Sequence, residues 1–249
     1  MITSWATDDP LGFSDSEIAG IQRLLPSFAA VIKTATVTDI AHSVLAAYVG
    51  GDAARRVLSG AITRGSFERL SAALLFADLR NFTRFSAGKP TGDVVALLND
   101  VFERVADPIR ANGGEILKFI GDGLLATFLI DGGRSATQAA DAALAAAVAA
   151  QRAMRDAGGP LALDIALHIG EVQYGNIGAA DRLDFTVIGP AVNEVARLEE
   201  LCGPLEEPIL VSQDLRDVAR SAAHHLASRG RHALRGIDGA REVFAPRHD

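Results

Sequence analysis

The chain has 249 residues, of which 49% are hydrophobic and 22% charged, the balance of a globular protein rather than a disordered or fibrous one. A formal net charge of −7 excludes a general nucleic-acid binder, which needs a basic face, but leaves room for a nucleotide in a locally cationic or metal-holding pocket. Cys202 is the single cysteine, so no disulfide forms within the chain, and a reducing, cytoplasmic setting is expected.

The start, MITSWATDDPLGF, is polar and broken by Pro10 and Gly12, unlike a signal sequence. Trp5 reads as a packing anchor. Ser14 to Glu17 reads as a capping box, with Ile18, Ile21, Leu24 and Leu25 as an apolar stripe behind it. Pro26 is expected to kink or end that helix. Further helices are expected over 39–48, stopped by Gly50 and Gly51, and over 52–58, stopped by Gly60. Residues 1–65 thus read as a helical connector, and 66–249 as the domain that carries the chemistry.

From Ser71 the pattern changes to alternating strands and helices. Residues 72–77 (AALLFA) read as a central strand, and 93–110 as a helix that ends at Asn112, Gly113 and Gly114. A β-hairpin is expected over 115–128, turning at Gly121-Asp122-Gly123. Residues 134–156 read as an alanine-rich helix, and its apolar run AALAAAVAA is too short to cross a bilayer, so no membrane insertion is expected. Leu161, Leu163, Ile165, Leu167 and Ile169 alternate strictly, as in a strand with one apolar face. A strand over 183–188 then leads through Pro190 into a helix, and short strands over 209–212 and 242–245 follow. This order is that of an α+β ferredoxin-like sandwich, a mainly antiparallel sheet with flanking helices, preceded by N-terminal helices.

Three places can carry chemistry. Asp78 follows the first strand and Asp122 sits at the hairpin tip, so neighbouring strand ends can bring two carboxylates together to hold Mg²⁺. Taken singly, either aspartate reads as a turn residue, and only the pair in its surroundings points to a metal. Asn193 and Arg197 share one face of a helix and suit a sugar and a phosphate, although a solvated face with Arg197 paired to a glutamate explains them as well. His168 lies opposite the apolar face of its strand without ligand-spaced partners and reads as a packing residue. His224 and His225 are adjacent and read as surface residues, and nothing near Cys202 resembles a nucleophile arrangement.

The segments FADLRNFT, ILKFIGDGLLATF, GEVQYGNIG and DRLDFTVIGPAVNEVARLE resemble, in order and spacing, the class III nucleotidyl cyclase catalytic domain over about residues 70–215. The resemblance implies two Mg²⁺ or Mn²⁺ ions held by Asp78, Asp122 and the Leu79 carbonyl. It puts the purine-reading pair on Lys118 and Thr186, as in adenylyl cyclases, where guanylyl cyclases typically carry glutamate and cysteine. It puts the transition-state pair on Asn193 and Arg197, and more weakly a phosphate-contacting residue on Arg235. It implies conversion of ATP to cyclic AMP at sites shared between the chains of a homodimer. Guanylate cyclase and a non-catalytic nucleotide-binding or dimerisation module are the alternatives. Asn81 departs from the pattern, since many relatives carry glycine there. Residues 47–60 resemble the connector before some bacterial cyclase domains, and the stretch from Trp5 resembles the tail of an upstream sensory domain.

Overall fold

A computed structural model describes residues 2–179, 181–220 and 225–247. His224 lies outside them, and His225 is exposed. Its contacts divide the chain into Met1–Tyr48 and Val49–Asp249. The division falls earlier than residue 65 because the segment after Val49 is tied to the larger unit. There, Asp52 N–H donates to Glu115 Oε1 at 2.6 Å and Asn176 Nδ2 donates to the Ala61 carbonyl at 2.7 Å.

The first unit is built on one helix, α1 (Asp15–Val49), which runs through Pro26. Pro26 was expected to kink or end it. Proline removes one backbone hydrogen bond, and Leu24, Leu25, Ala29 and Ala30 around it are good helix formers. Thr34, Thr36 and Thr38 each donate to the carbonyl four residues earlier, so their hydroxyls are satisfied inside the helix. Uninterrupted, α1 is long and apolar enough by length and composition to cross a membrane, a test that helices of soluble proteins also pass. The sequence reading divided this segment at Pro26 and so found no span.

The second unit opens with α2 (Gly51–Leu58) and β1 (Phe67–Leu79), followed by the short α3 (Phe82–Ser86) and by α4 (Thr91–Ala111). The hairpin β2 (Glu115–Ile120) and β3 (Gly123–Ile130) follows, then α5 (Ala136–Ala157) and the long β4 (Leu163–Gly178). The chain goes on with β5 (Leu183–Ile188), α6 (Pro190–Glu199), α7 (Cys202–Leu205), β6 (Ile209–Ser212), α8 (Gln213–Val218), β7 (Leu226–Ala233) and β8 (Ala240–Pro246). Sheet order is β2-β3-β1-β4-β6-β8-β7, with β5 added on β4; β4 and β6 run parallel and the other pairs antiparallel. The order β2-β3-β1-β4 with α4 and α5 between its strands is the expected ferredoxin-like sandwich.

Both faces of the sheet are covered. Ala73, Leu75, Ala77, Ile165 and Leu167 pack with Val105, Ile109 and the alanines of α5 on one side. Leu74, Ala166, Val172 and Leu210 pack with Val195, Leu198 and Cys202 on the other. The expectation of one apolar face on β4 is therefore corrected. Ala166, on the second face, is as fully buried as Ile165 on the first, because α6 closes over it.

Candidate active site

Asp78 stands one residue before the end of β1, and Asp122 at the tip of the β2–β3 hairpin. Their approach depends on Gly123. A Cβ there would lie 2.7 Å from the Ala77 carbonyl oxygen and 2.8 Å from Asp78 Oδ1, so only glycine lets the hairpin tip close on the strand end. Burial, and next the negative charge of Asp122, push the Asp78 carboxyl up to about 6. Two half-buried carboxylates held together offer hard oxygen donors of the kind a divalent cation takes.

Three residues that the sequence reading missed surround this pair. Asp164 lies directly across from Asp78 on β4 and is buried. Arg80 grips it with two parallel hydrogen bonds, Nε to Oδ2 at 2.9 Å and Nη2 to Oδ1 at 2.5 Å. Glu199, in the last turn of α6, has its carboxyl pushed up to about 8 by burial and then by the charges of Asp78, Asp164, Glu200 and Asp122. An aspartate inside an otherwise apolar strand was the available signal for Asp164, since a buried charge requires a partner.

Asn81 adopts φ 62, ψ 23 just ahead of α3. This left-handed conformation explains why glycine suits the position and why asparagine, the non-glycine residue that best tolerates it, can stand there. At the base of this loop, Arg80 N–H donates to the Ala162 carbonyl at 2.9 Å.

Lys118 comes after a break in the β2–β3 register between Ile116 and Lys118. The irregularity at Leu117 re-aims the strand, and Lys118 Nζ reaches Asp184 Oδ2 on β5 at 3.5 Å. Two residues on, Thr186 is buried and its Oγ1 has no hydrogen-bond partner among the described residues. An orphaned buried hydroxyl is costly unless something else satisfies it. The structure thus brings Lys118 and the Thr186 strand together.

Asn193 is exposed near the start of α6 and Arg197 is half-buried one turn later. Arg197 pairs with Glu200, the arrangement that the solvated-face reading expects. Arg235 Nη2 also reaches Glu200 Oε1, at 3.4 Å, so one carboxylate gathers both guanidinium groups. A cavity of about 870 Å³ is lined by Arg80, Gln151, Leu161 and Glu207 among others, and none of Asp122, Lys118, Thr186, Asn193 or Arg197 lines it. Within a single chain that cavity does not serve these candidate groups.

A sequence profile of the adenylate and guanylate cyclase catalytic domain matches residues 67–245. An uncharacterized protein of Mycobacterium tuberculosis is 32% identical over 227 residues, 91% of this chain and 41% of that protein. A second from the same organism is 29% identical over 239 residues, 96% of this chain and again 41% of that protein. The chain therefore spans about two fifths of the length of these curated relatives. Among solved structures, the adenylyl cyclase CyaB from P. aeruginosa superposes with a TM-score of 0.65 at 25% identity, covering 74% of this chain and 97% of that one. A bacterial light-regulated adenylyl cyclase gives 0.71 at 26%, covering 94% and 65%. The guanylyl cyclase Cya2 gives 0.62 at 29%, covering 72% and 93%.

Proposed function

The chain belongs to the adenylate and guanylate cyclase catalytic domain family, and from that premise we propose that it is an adenylate cyclase acting as a homodimer. ATP is closed to 3′,5′-cyclic AMP: the ribose 3′-oxygen forms a bond to the α-phosphorus, the bond to the β-phosphate oxygen breaks, and pyrophosphate leaves. The 3′-hydroxyl proton passes to solvent, since no side-chain base stands out.

The observation that carries the choice of ATP is the buried, unpartnered Thr186 hydroxyl on the strand that meets Lys118. Thr186 Oγ1 accepts from the adenine 6-amino group, and Lys118 Nζ donates to the adjacent ring nitrogen. Guanine presents a carbonyl oxygen at that place and would leave the pair mismatched. Asn193 orients the ribose, Arg197 meets charge developing on the α-phosphate, and Arg235 holds the polyphosphate. Bound at Asp78, Asp122 and the Leu79 carbonyl, two Mg²⁺ or Mn²⁺ ions supply charge neutralisation for the triphosphate and a lowered pKa for the 3′-hydroxyl.

Sharing of the site between chains is supported by exposed apolar residues beside the candidate groups. Phe119 and Ile120 flank the hairpin tip, and Ile188 follows Thr186 on β5. Surfaces of this kind are covered in an oligomer. We place the catalytic unit in the cytoplasm, where ATP is available, and read residues 1–65 as the connector from an upstream sensory domain, in keeping with the greater length of the relatives.

The test is incubation of the purified chain with ATP or GTP and Mg²⁺ or Mn²⁺ over a range of protein concentrations. Cyclic AMP from ATP is expected, with specific activity rising with concentration. The double change Lys118→Glu, Thr186→Cys is expected to shift preference toward GTP. Cyclic GMP as the main product of the unaltered chain overturns the roles given to Lys118 and Thr186. ATP binding by a folded dimer without pyrophosphate release favours the binding-module reading.

A further inference from the structure

We propose that His168, Glu194 and Asp214 form a second divalent-cation site, of zinc-like preference, that ties the start of α6 to β4 and α8. The three residues come from three elements, and their ligand atoms all lie within 4.8 Å of one another. Spacing along the chain hides the group, because each partner of His168 arrives from a distant segment.

The site is separate from the Asp78–Asp122 pair. His168 lies across from Leu74 and Asp164 across from Asp78, so the two places are four residues apart along β4, about 13 Å. Its chemistry also differs. One imidazole nitrogen with two carboxylates suits Zn²⁺, Co²⁺ or Mn²⁺ better than Mg²⁺ or Ca²⁺, which favour all-oxygen sets.

His168 is prepared for this role. Its ring is only 3% exposed, and Nδ1 lies 2.9 Å from Ser212 Oγ. The same oxygen accepts from Leu215 N–H at 3.2 Å and so caps α8. With Ser212 Oγ accepting from Nδ1–H as well, the Nε2 lone pair is left bare, and no hydrogen bond to Nε2 is found among the described residues. This is the outer-shell arrangement that orients metal-binding histidines. Burial pushes the His168 imidazole below its ordinary range, against the nearby charges of Glu194 and Asp214.

A cavity of about 310 Å³, lined by Glu194, Gln213, Asp214, Arg231 and Arg241, gives an ion a way in. Arg241 Nε lies 3.3 Å from Glu194 Oε1. That guanidinium competes with an incoming cation for Glu194, so its removal strengthens ion binding. If the cluster were only a structural ion pair around a packed histidine, removing Arg241 would not create affinity for a metal.

The test uses the full chain carrying Asp78→Asn and Asp122→Asn, so that cation binding is read apart from the catalytic pair and from any nucleotide chemistry. Co²⁺ is titrated by its visible absorption and then displaced with Zn²⁺. One Co²⁺ per chain is expected, weakened about tenfold or more by Glu194→Gln and by Asp214→Asn, and tightened by Arg241→Gln. Both carboxylate changes spare buried His168, and circular dichroism checks that each variant is folded. Absence of saturable uptake up to about 1 mM Co²⁺, or uptake that neither carboxylate change weakens, overturns the proposal.

Discussion

The two faces of the sheet are built on different terms. Under α4 and α5 the strands present Ala73, Leu75, Ala77, Ile165, Leu167 and Val211, and the helix alanines let the backbone approach closely. The buried polar side chains Thr127, Asp164, His168 and Ser212 all stand on the opposite face with Leu74 and Ala166, and α6 runs over it. Burying polar groups costs stability unless each finds a partner. One face therefore maximises packing, and the other accepts carboxylates and an imidazole that hydrogen bonds, ion pairs or ligands must compensate. The carboxylate cluster belongs to the second face. Changes there should alter activity more than stability, and changes on the first should do the reverse.

The largest effect should come from the second face. Asp78→Ala and Arg197→Ala are each expected to lose about 10³-fold or more in cyclic AMP production, while thermal unfolding shows both to be folded. Asp78→Ala should even be somewhat more stable without metal, since it removes a carboxylate held beside Asp122. Mixing the two variants should restore about a quarter of the activity, because half of the dimers then hold one intact shared site. No recovery, once subunit exchange has been shown, rejects the shared site.

Next in size is a change on the first face. Phe128 is fully buried there and rests against Gly114, where a Cβ would come within 2.6 Å of its ring. Phe128→Ala should cost about 3–5 kcal/mol by leaving a cavity, seen as a lower denaturation midpoint. The activity that remains per folded molecule should stay within about threefold of the starting value, since the ring is remote in role from charge stabilisation. A large loss per folded molecule would erase the distinction between the faces.

How far the sequence was legible follows the same division. Asp78, Asp122 and the Asn193–Arg197 pair stand at a strand end, a hairpin tip and a helix start, where local signals mark them, whereas Thr186, inside β5, is marked only by the resemblance to the cyclase family. Arg80 and Asp164 are 84 residues apart, and Glu199 belongs to the same group only through the fold, so spacing did not reveal them. The same holds for His168, whose partners are on α6 and α8. On the structural side, β7 (LASRGRHA) has too little apolar alternation to read as a strand. In α1, the weight given to Pro26 hid one continuous helix.

A smaller effect is a pH dependence confined to the second face. Asp78 titrates at about 6 instead of 3.8, and Glu199 at about 8 instead of 4.5. Both carboxyls are raised, so the folded chain holds more protons than the unfolded chain between the two values, and stability falls as pH rises through each window. In metal-free protein the unfolding temperature should therefore decline from about pH 5 to about pH 8. The decline should be shallower in Glu199→Gln, and added Mg²⁺ should offset it at the upper end by neutralising the cluster. A decline as steep in Glu199→Gln as in the unaltered chain would remove Glu199 from the cluster.

The smallest effect is expected at Asn81, where two opposing terms nearly cancel. Glycine would relieve the left-handed backbone at φ 62, which favours Asn81→Gly. Glycine also gives the unfolded chain more freedom to lose, which disfavours it. Each term is worth about 0.5–1 kcal/mol, so net stability should move by less than about 1 kcal/mol. The side chain is exposed and the loop already has the conformation that glycine would adopt. KM for ATP should consequently change by less than about threefold. A fall of tenfold or more would mean that the Asn81 side chain crowds the triphosphate, and that the loop's shape alone does not decide how it meets substrate.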